Sequence, residues 1–359
     1  MQTESETTTG GWKYLDNEER QHFLLSPKCR DLTINDLATI DEDEAYSTFC
    51  HFRWPETDGQ PSCPHCGVID CYSVRNRKFK CSGCRREFSV TSGTVFAFHK
   101  LSFWKMLVAI WMSMNSVKGK AALQLSRELG VQYKTAWVLS LKIKEALGYR
   151  RVGMKLEGTV QMDGKYAGGH IKPENRAEDR IDRRFKRHQN MKRLCVLALR
   201  EKNGSGFERT FRRIVREEHG DAAWSAVKHH VDRDATVVTD EHSSYGDLTG
   251  LNEHKQVSHS EAYRTKEGTN TNHVESFFSR IQRAYVGIHH RFSLKYFDFY
   301  VAELAWREDN RRMSNGKLTA LILSTVMSMP TSRNFCGYWQ GNCPPDPEFN
   351  DYMEPFAAV

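Results

Sequence analysis

Two aspartates and a glutamate stand where regular elements would present them, and they are the residues of this sequence best suited to chemistry. Val237–Tyr245, VVTDEHSSY, runs two β-branched residues into Thr239 and Asp240 before a polar turn. That is the pattern of a short buried strand that ends by delivering a carboxylate. Gly158–Gly169, GTVQMDGKYAGG, has the same form and delivers Asp163. Glu275 lies in Thr271–Arg283, TNHVESFFSRIQR, a helical pattern, with 34 residues between it and Asp240. Hard oxygen ligands of this kind suit Mg²⁺. A pair of such ions stabilises the attacking and leaving oxygens of an in-line phosphoryl displacement. A lone strand-end aspartate is usually a turn residue, so the weight rests on the three acids together.

A second constellation lies upstream. Cys63-Pro-His-Cys66 and Cys81-Ser-Gly-Cys84 are separated by fourteen residues, the spacing of a tetrahedral Cys₄ zinc site. Four thiolates leave no open position, so this Zn²⁺ is expected to fold a small domain and to do no chemistry. Gly67 and Gly83 are expected to allow the tight turns. His65 and Cys71 are read as bystanders. The other cysteines are scattered, and a disulfide framework is not expected in an intracellular chain.

Elements must carry these residues. Tyr72–Lys80 reads as ribbon strands, and Phe88–Phe98 as a strand and turn. Leu101–Met114 reads as a buried helix. Lys118–Leu147 then shows Leu123, Leu125 and Leu129 at helical spacing, a break at Gly130, and a second helix with Ala136, Val138, Leu139 and Ile143. Helix, glycine turn and helix is the helix-turn-helix pattern. Its second helix opens with Gln132, Tyr133, Lys134 and Thr135, which would face a major groove. The alternative is an ordinary helical hairpin. Beyond Gly148–Gly158, strands at Thr159–Asp163, Lys192–Arg200, Glu208–Val215, Thr236–Asp240 and Lys255–Ser260 alternate with helices at Asp221–Val231 and from Asn270. Lys192–Arg200, KRLCVLALR, is apolar enough to be buried on both faces. The fold class is therefore α/β. A ribonuclease-H-like mixed-sheet catalytic domain follows a Cys₄ zinc ribbon and a helix-turn-helix domain.

Charge points the same way. The chain of 359 residues carries +7. Residues 1–60 hold 5 Lys/Arg against 13 Asp/Glu, so the remainder is strongly basic. A basic body implies a polyanionic partner. Lys172–Arg193 holds nine Lys/Arg and four Asp/Glu and reads either as a solvated loop or as a clamp on a phosphate backbone. No apolar run reaches membrane-spanning length, and the first residues lack a secretory pattern. The domains expected are an acidic, partly disordered stretch at 1–40, a zinc-ribbon region at 41–98, a helix-turn-helix region at 99–150, the catalytic domain at 151–315, and a C-terminal helix and tail at 316–359.

In order, RWP (Arg53–Pro55), CPHCG (Cys63–Gly67), the Cys81–Phe96 segment, LSRELGVQYKTAW (Leu125–Trp137), MDGKYAGG (Met162–Gly169), TDEHSSY (Thr239–Tyr245) and NHVESFFSR (Asn272–Arg280) resemble the IS1595-type insertion-sequence transposases. Their catalytic region is called the ISXO2-like transposase domain. The resemblance covers residues 40 to 315. It implies a DDE-type enzyme that cuts the ends of its own element and joins them to target DNA. Such enzymes use two Mg²⁺ ions, which Mn²⁺ can replace, and form no covalent protein intermediate. Asp163 and Asp240 match the first two acidic positions. For the third, Asn272 and Glu275 lie three apart on one helical face, with Glu275 the better cation ligand. Where relatives carry a lysine this chain has Gln282, with Arg280 and Arg283 nearby to hold a phosphate. The partners implied are double-stranded DNA, as terminal inverted repeats and target, and further copies of the chain in a dimer or larger assembly. The setting implied is the cytoplasm, at the nucleoid of a prokaryotic host. The alternative is a catalytically silent, transposase-derived DNA-binding protein. A zinc-ribbon transcription factor would not need the aspartates, and a nuclease acting on RNA would rarely carry a major-groove reader.

Overall fold

The structure, a computed structural model, describes residues 23–149, 153–167, 174, 176–181, 193–202, 208–258, 270–290 and 292–343. The first 22 residues, most of the basic run 172–193 and the tail from 344 lie outside the described residues.

Three short antiparallel strands, β1 (Cys71–Val74), β2 (Lys78–Cys81) and β3 (Glu87–Ser89), form the ribbon. Around it pack helices α1 (Ile34–Thr39), α2 (Glu42–Arg53), α3 (Phe103–Asn115), α4 (Ala122–Leu129) and α5 (Tyr133–Tyr149). The acid that opens α2 is structural. Glu42 accepts hydrogen bonds from the Phe103 and Trp104 amides, both at 2.9 Å, and pairs with Arg77 of the ribbon at 3.0 Å. A carboxylate at a helix N-terminus satisfies orphan amides and complements the helix dipole, so one side chain ties α2, α3 and the ribbon together. The apolar core here unites Phe49, Trp54, Cys63, Cys81, Phe88, Ile110 and Leu125. It also takes Ile322, Leu323 and Val326 from the last helix, α9 (Asn315–Ser328).

The second core surrounds a five-stranded mixed sheet. The strands are β4 (Thr159–Ala167), β5 (Leu194–Lys202), β6 (Thr210–Val215), β7 (Thr236–Asp240) and β8 (Glu253–Val257), in the order β6-β5-β4-β7-β8. β4, β5 and β6 are antiparallel neighbours, whereas β7 runs parallel to both β4 and β8. β5 is buried on both faces, and its alternation sorts the residues. Cys195, Leu197 and Leu199 meet α6 (Gly220–His230). Leu194, Val196 and Ala198 meet α7 (Asn272–Gly287) and α8 (Phe297–Asp309).

The two cores are joined through buried charge. Lys144 of α5 pairs with Glu303 of α8 at 3.0 Å, and Arg307 pairs with Glu303 at 2.7 Å. Arg307 also donates to the Met114 and Ser116 carbonyls at 3.1 and 2.7 Å, capping the C-terminal end of α3. Burial works against the Glu303 carboxylate, but the Lys144 and Arg307 charges outweigh it and hold its pKa down to about 2. Burial and then Lys144 depress the neighbouring His289 to about 4.

Candidate active site and metal centre

The strand register brings the aspartates together. β4 pairs with β7 as Thr159↔Thr236, Val160↔Val237 and Gln161↔Val238. Beyond Gln161 the two strands part, while β4 continues its pairing with β5 to Ala167. The same register carried two residues further sets Asp163 level with Asp240, on the same face by the two-residue alternation. Both carboxylates thus stand at the mouth of a notch opened by diverging parallel strands. Nearby backbone amides fix them locally. The Gly164 amide donates to Asp163 Oδ1 at 2.7 Å, and the His242 amide donates to Asp240 Oδ1 at 3.1 Å.

α7 carries Asn272 and Glu275. Gln161, buried on β4 two residues before Asp163, accepts from the first amides of α7, His273 at 2.9 Å and Val274 at 3.3 Å. This cap from the sheet sets the start of α7 beside the aspartates. Glu275 lies in that first turn and accepts from Thr271 Oγ1 at 2.8 Å. Asn272 is exposed, and its amide bonds the Asn270 side chain at 3.2 Å. Burial and then the charge of Asp240, with Glu218 and Glu275 adding, push Asp163 up to about 7. Asp240 and Glu275 are therefore near enough to Asp163 for their charges to act on it. Among the described residues, however, only the four cysteines bring three or more ligand atoms within 4.8 Å of one another.

Two neighbours escape a reading of the sequence. Gln161 is one, since a buried glutamine on an apolar strand gives no local sign of capping a distant helix. Glu218, in the β6–α6 connection, is the other. Its carboxylate lies so close to Gly164 that a Cβ there would sit 2.4 Å from it. Tyr245, fully buried, donates its hydroxyl to Glu218 Oε1. The available signal was an acid at the end of a strand, the feature that singled out the aspartates.

The four ribbon cysteines converge. The Cys63–Cys84 and Cys66–Cys81 Sγ distances are 3.6 and 3.5 Å, and all four sulfurs lie within 4.8 Å. Four thiolates about 2.3 Å from a tetrahedral zinc would be about 3.8 Å apart, so the donor set fits that ion. The Cys84 amide donates to Cys81 Sγ at 3.5 Å and holds that thiol down to about 6, toward the ligating thiolate. Gly67 takes a left-handed φ of +75°. At the second knuckle Arg85, with φ +62°, plays that part. Gly83 instead makes room, since a Cβ would meet Val68 Cγ2 at 3.2 Å. His65 and Cys71 stand outside the cluster.

α4 and α5 flank Gly130, which closes α4 at φ +60°. Leu125 and Leu129 are buried, whereas Leu123 is exposed. At the start of α5, Tyr133 is half exposed, while Gln132, Lys134 and Thr135 line a cavity of about 410 Å³ with Tyr338 and Trp339. Lys134 Nζ lies 4.7 Å from the Trp339 ring. On α7, Arg280 pairs with the buried Glu308, and Arg283 donates to Ser279 Oγ at 2.8 Å.

The architecture is that of a Cys₄ ribbon joined through helices to a mixed α/β sheet. Residues 155–309 match the family model of the ISXO2-like transposase domain, and residues 40–87 match that of the transposase zinc-ribbon domain. The chain belongs to the IS1595-type DDE transposase family. No curated protein matches it. Among the described residues, no helix is long and apolar enough to cross a membrane.

Proposed function

We propose that the protein is a DNA transposase that binds the terminal inverted repeats of its element, cleaves a strand at each end and transfers it to target DNA. The observation that carries this reading is the register of β4 and β7 at Gln161↔Val238, whose continuation would bring Asp163 level with Asp240 inside the segment matching the transposase domain. The sheet order, with three antiparallel strands followed by two parallel ones, supports a ribonuclease-H-like assignment. Asp163, Asp240 and Glu275 would hold two Mg²⁺ ions, with Asn272 the alternative third group. Their oxygens are hard donors and carry the negative charge that such ions neutralise. When bound, the ions supply Lewis-acid stabilisation of the attacking and leaving oxygens. The chain's own contribution is to hold the carboxylates in place from the sheet, through the nearby backbone amides and the Gln161 cap.

Binding of DNA is assigned to two surfaces. The α4–α5 pair would read the repeat through Gln132, Tyr133, Lys134 and Thr135. A cleft of about 440 Å³ is lined by Arg30, Lys118 and Arg283, with Arg280, Arg307 and Arg311, which pair with Glu308 and Glu303; its cations would contact phosphates. The basic run at 172–193, most of it outside the described residues, would add further phosphate contacts. The Cys₄ site would take one structural Zn²⁺. Joining two ends requires at least two copies of the chain. The test incubates the protein with Mg²⁺ and labelled duplex ends, beside Asp240→Ala. Wild-type cleavage that the variant lacks, with end binding retained, supports the enzyme. Binding without cleavage in either Mg²⁺ or Mn²⁺ would favour the silent DNA-binding protein.

A further inference from the structure

Resting on the reading that the protein binds DNA, we propose that the cavity at the start of α5 takes one unpaired nucleotide of a DNA strand, with its base against Trp339 and an acceptor atom on Lys142. Three stretches of chain build this cavity of about 410 Å³: residues 96–101, the side of α5 from Gln132 to Lys142, and residues 335–340, which follow α9. Its volume suits one base with its sugar. Lys100, Lys134, Lys142 and His99 line it, and no aspartate or glutamate does. A cationic cavity free of acids selects an anion. Its rings select a flat ligand. Trp339 is 50% exposed and Phe98 85% exposed, both on the lining. A ligand that is both flat and anionic is a nucleotide.

The aromatic wall is fixed before any ligand arrives. Trp339 Nε1 donates to the Lys134 carbonyl at 3.4 Å. The Tyr338 ring meets Trp339 edge-on at 5.0 Å, and Trp137 of α5 meets Tyr338 at 4.9 Å. A held indole is a stacking platform for a base of any sequence. Lys134 Nζ, 4.7 Å from that ring, brings a cation for the phosphate. Lys142 gives the second, independent sign of a ligand. It is only 7% exposed, yet it lines the cavity. Among the described residues its hydrogen bond goes to the Ala97 carbonyl at 3.3 Å. Glu145, three residues on, instead accepts from Asn334 Nδ2 at 2.7 Å. An ammonium has three donors, and a buried one with donors to spare favours a ligand that brings oxygen or nitrogen acceptors. A paired base is stacked inside its duplex and would have to be extruded to enter. That costs least where pairing is already lost, so the cavity discriminates unpaired from paired DNA.

The experiment uses the full-length, zinc-loaded protein and a short single strand carrying 2-aminopurine, whose fluorescence falls on stacking, beside the fully paired duplex of the same sequence. Free 2-aminopurine deoxynucleotide is titrated in parallel, and duplex-end cleavage is assayed. The single strand is expected to bind with quenching. Trp339→Ala should weaken that binding by about 10-fold and remove the quenching, while leaving paired duplex binding unchanged, and Trp339→Phe should restore most of both. Lys142→Met should weaken the single strand alone. Phe98→Ala, at a position too exposed for the fold to need it, should give a smaller loss of the same kind. Unchanged strand binding and quenching in Trp339→Ala and Lys142→Met would overturn the proposal. So would an equal loss for single and paired strands, which would make these residues general contacts. Affinity for the free nucleotide as high as for the strand would assign the cavity to a small molecule and overturn the strand-borne nucleotide. In each of these cases retained duplex cleavage leaves the transposase reading standing. If the wild-type protein bound neither form of DNA, that reading would fall and take this inference with it.

Discussion

At the proposed metal site a proton and an ion would compete for Asp163. Burial and the Asp240 charge raise it to about 7, so near neutrality the metal-free carboxyl is partly protonated. Ion binding there would release that proton. Mg²⁺ affinity is therefore expected to rise with pH between about 6 and 8 and to level off above. Calorimetry in buffers of different ionisation enthalpy reads the released proton directly, and a flat affinity across that range would count against the assignment. Gln161 gives a second prediction at this scale. Its amide oxygen serves two α7 amides inside the core, so Gln161→Leu leaves buried donors unmet. The expected cost is about 1–3 kcal/mol, measured by denaturant unfolding. Cleavage should fall further than stability alone explains, because Glu275 loses its fixed position.

The ribbon and the strands show what local pattern can and cannot reveal. The cysteine pairs, Asp240 at the end of its strand and the two-faced burial of β5 are legible because each is a short-range feature with a fixed period or spacing, whereas Asp163, expected to end its strand, lies within β4, which continues to Ala167. Glu218, the Gln161 cap and the clamp by Glu42 are not, since each depends on strand order and on contacts between distant segments that no window of sequence contains. Leu123 illustrates the same limit, being at helical spacing with Leu125 and Leu129 yet left outside the core. The ribbon's coupling to its surroundings makes a prediction for the element. Cys63 and Cys81 sit in the same core as Phe49, Ile110 and Val326. Removing zinc with a chelator, or Cys81→Ser, should therefore lower the helical content as well as the ribbon's order. Circular dichroism at 222 nm would follow this, and an unchanged helical signal would show that the ribbon folds separately.

At the scale of the whole molecule, the junction between the two cores is an ionic cluster of Lys144, Glu303, Arg307 and His289, with His290 adjacent. His289 titrates near 4 in the folded protein against an ordinary value of 6.5. Between these values the unfolded chain binds the proton and the folded one does not, so stability rises with pH across that window. The stability from His289 is complete above 6.5 and is lost as pH falls toward 4, on the order of 3 kcal/mol. Below 4.5, protonation of Glu303 in the unfolded chain adds to the loss. Melting curves from pH 7 to 4 should show this slope, and His289→Gln should flatten its upper part. Glu303→Ala leaves Lys144 and Arg307 buried without their partner and is expected to cost about 3–5 kcal/mol.

The return of α9 to the first core has a bearing on how the protein is made. Ile322, Leu323 and Val326 complete a wall whose other sides come from α2 and α3, and they are translated only after the entire sheet domain. A ribosome that has delivered the ribbon and its helices has therefore delivered an unfinished core. Completion of the first core waits on α9. A prematurely stopped chain would expose apolar surface to chaperones and proteases and would not survive as a fragment competing with the intact protein.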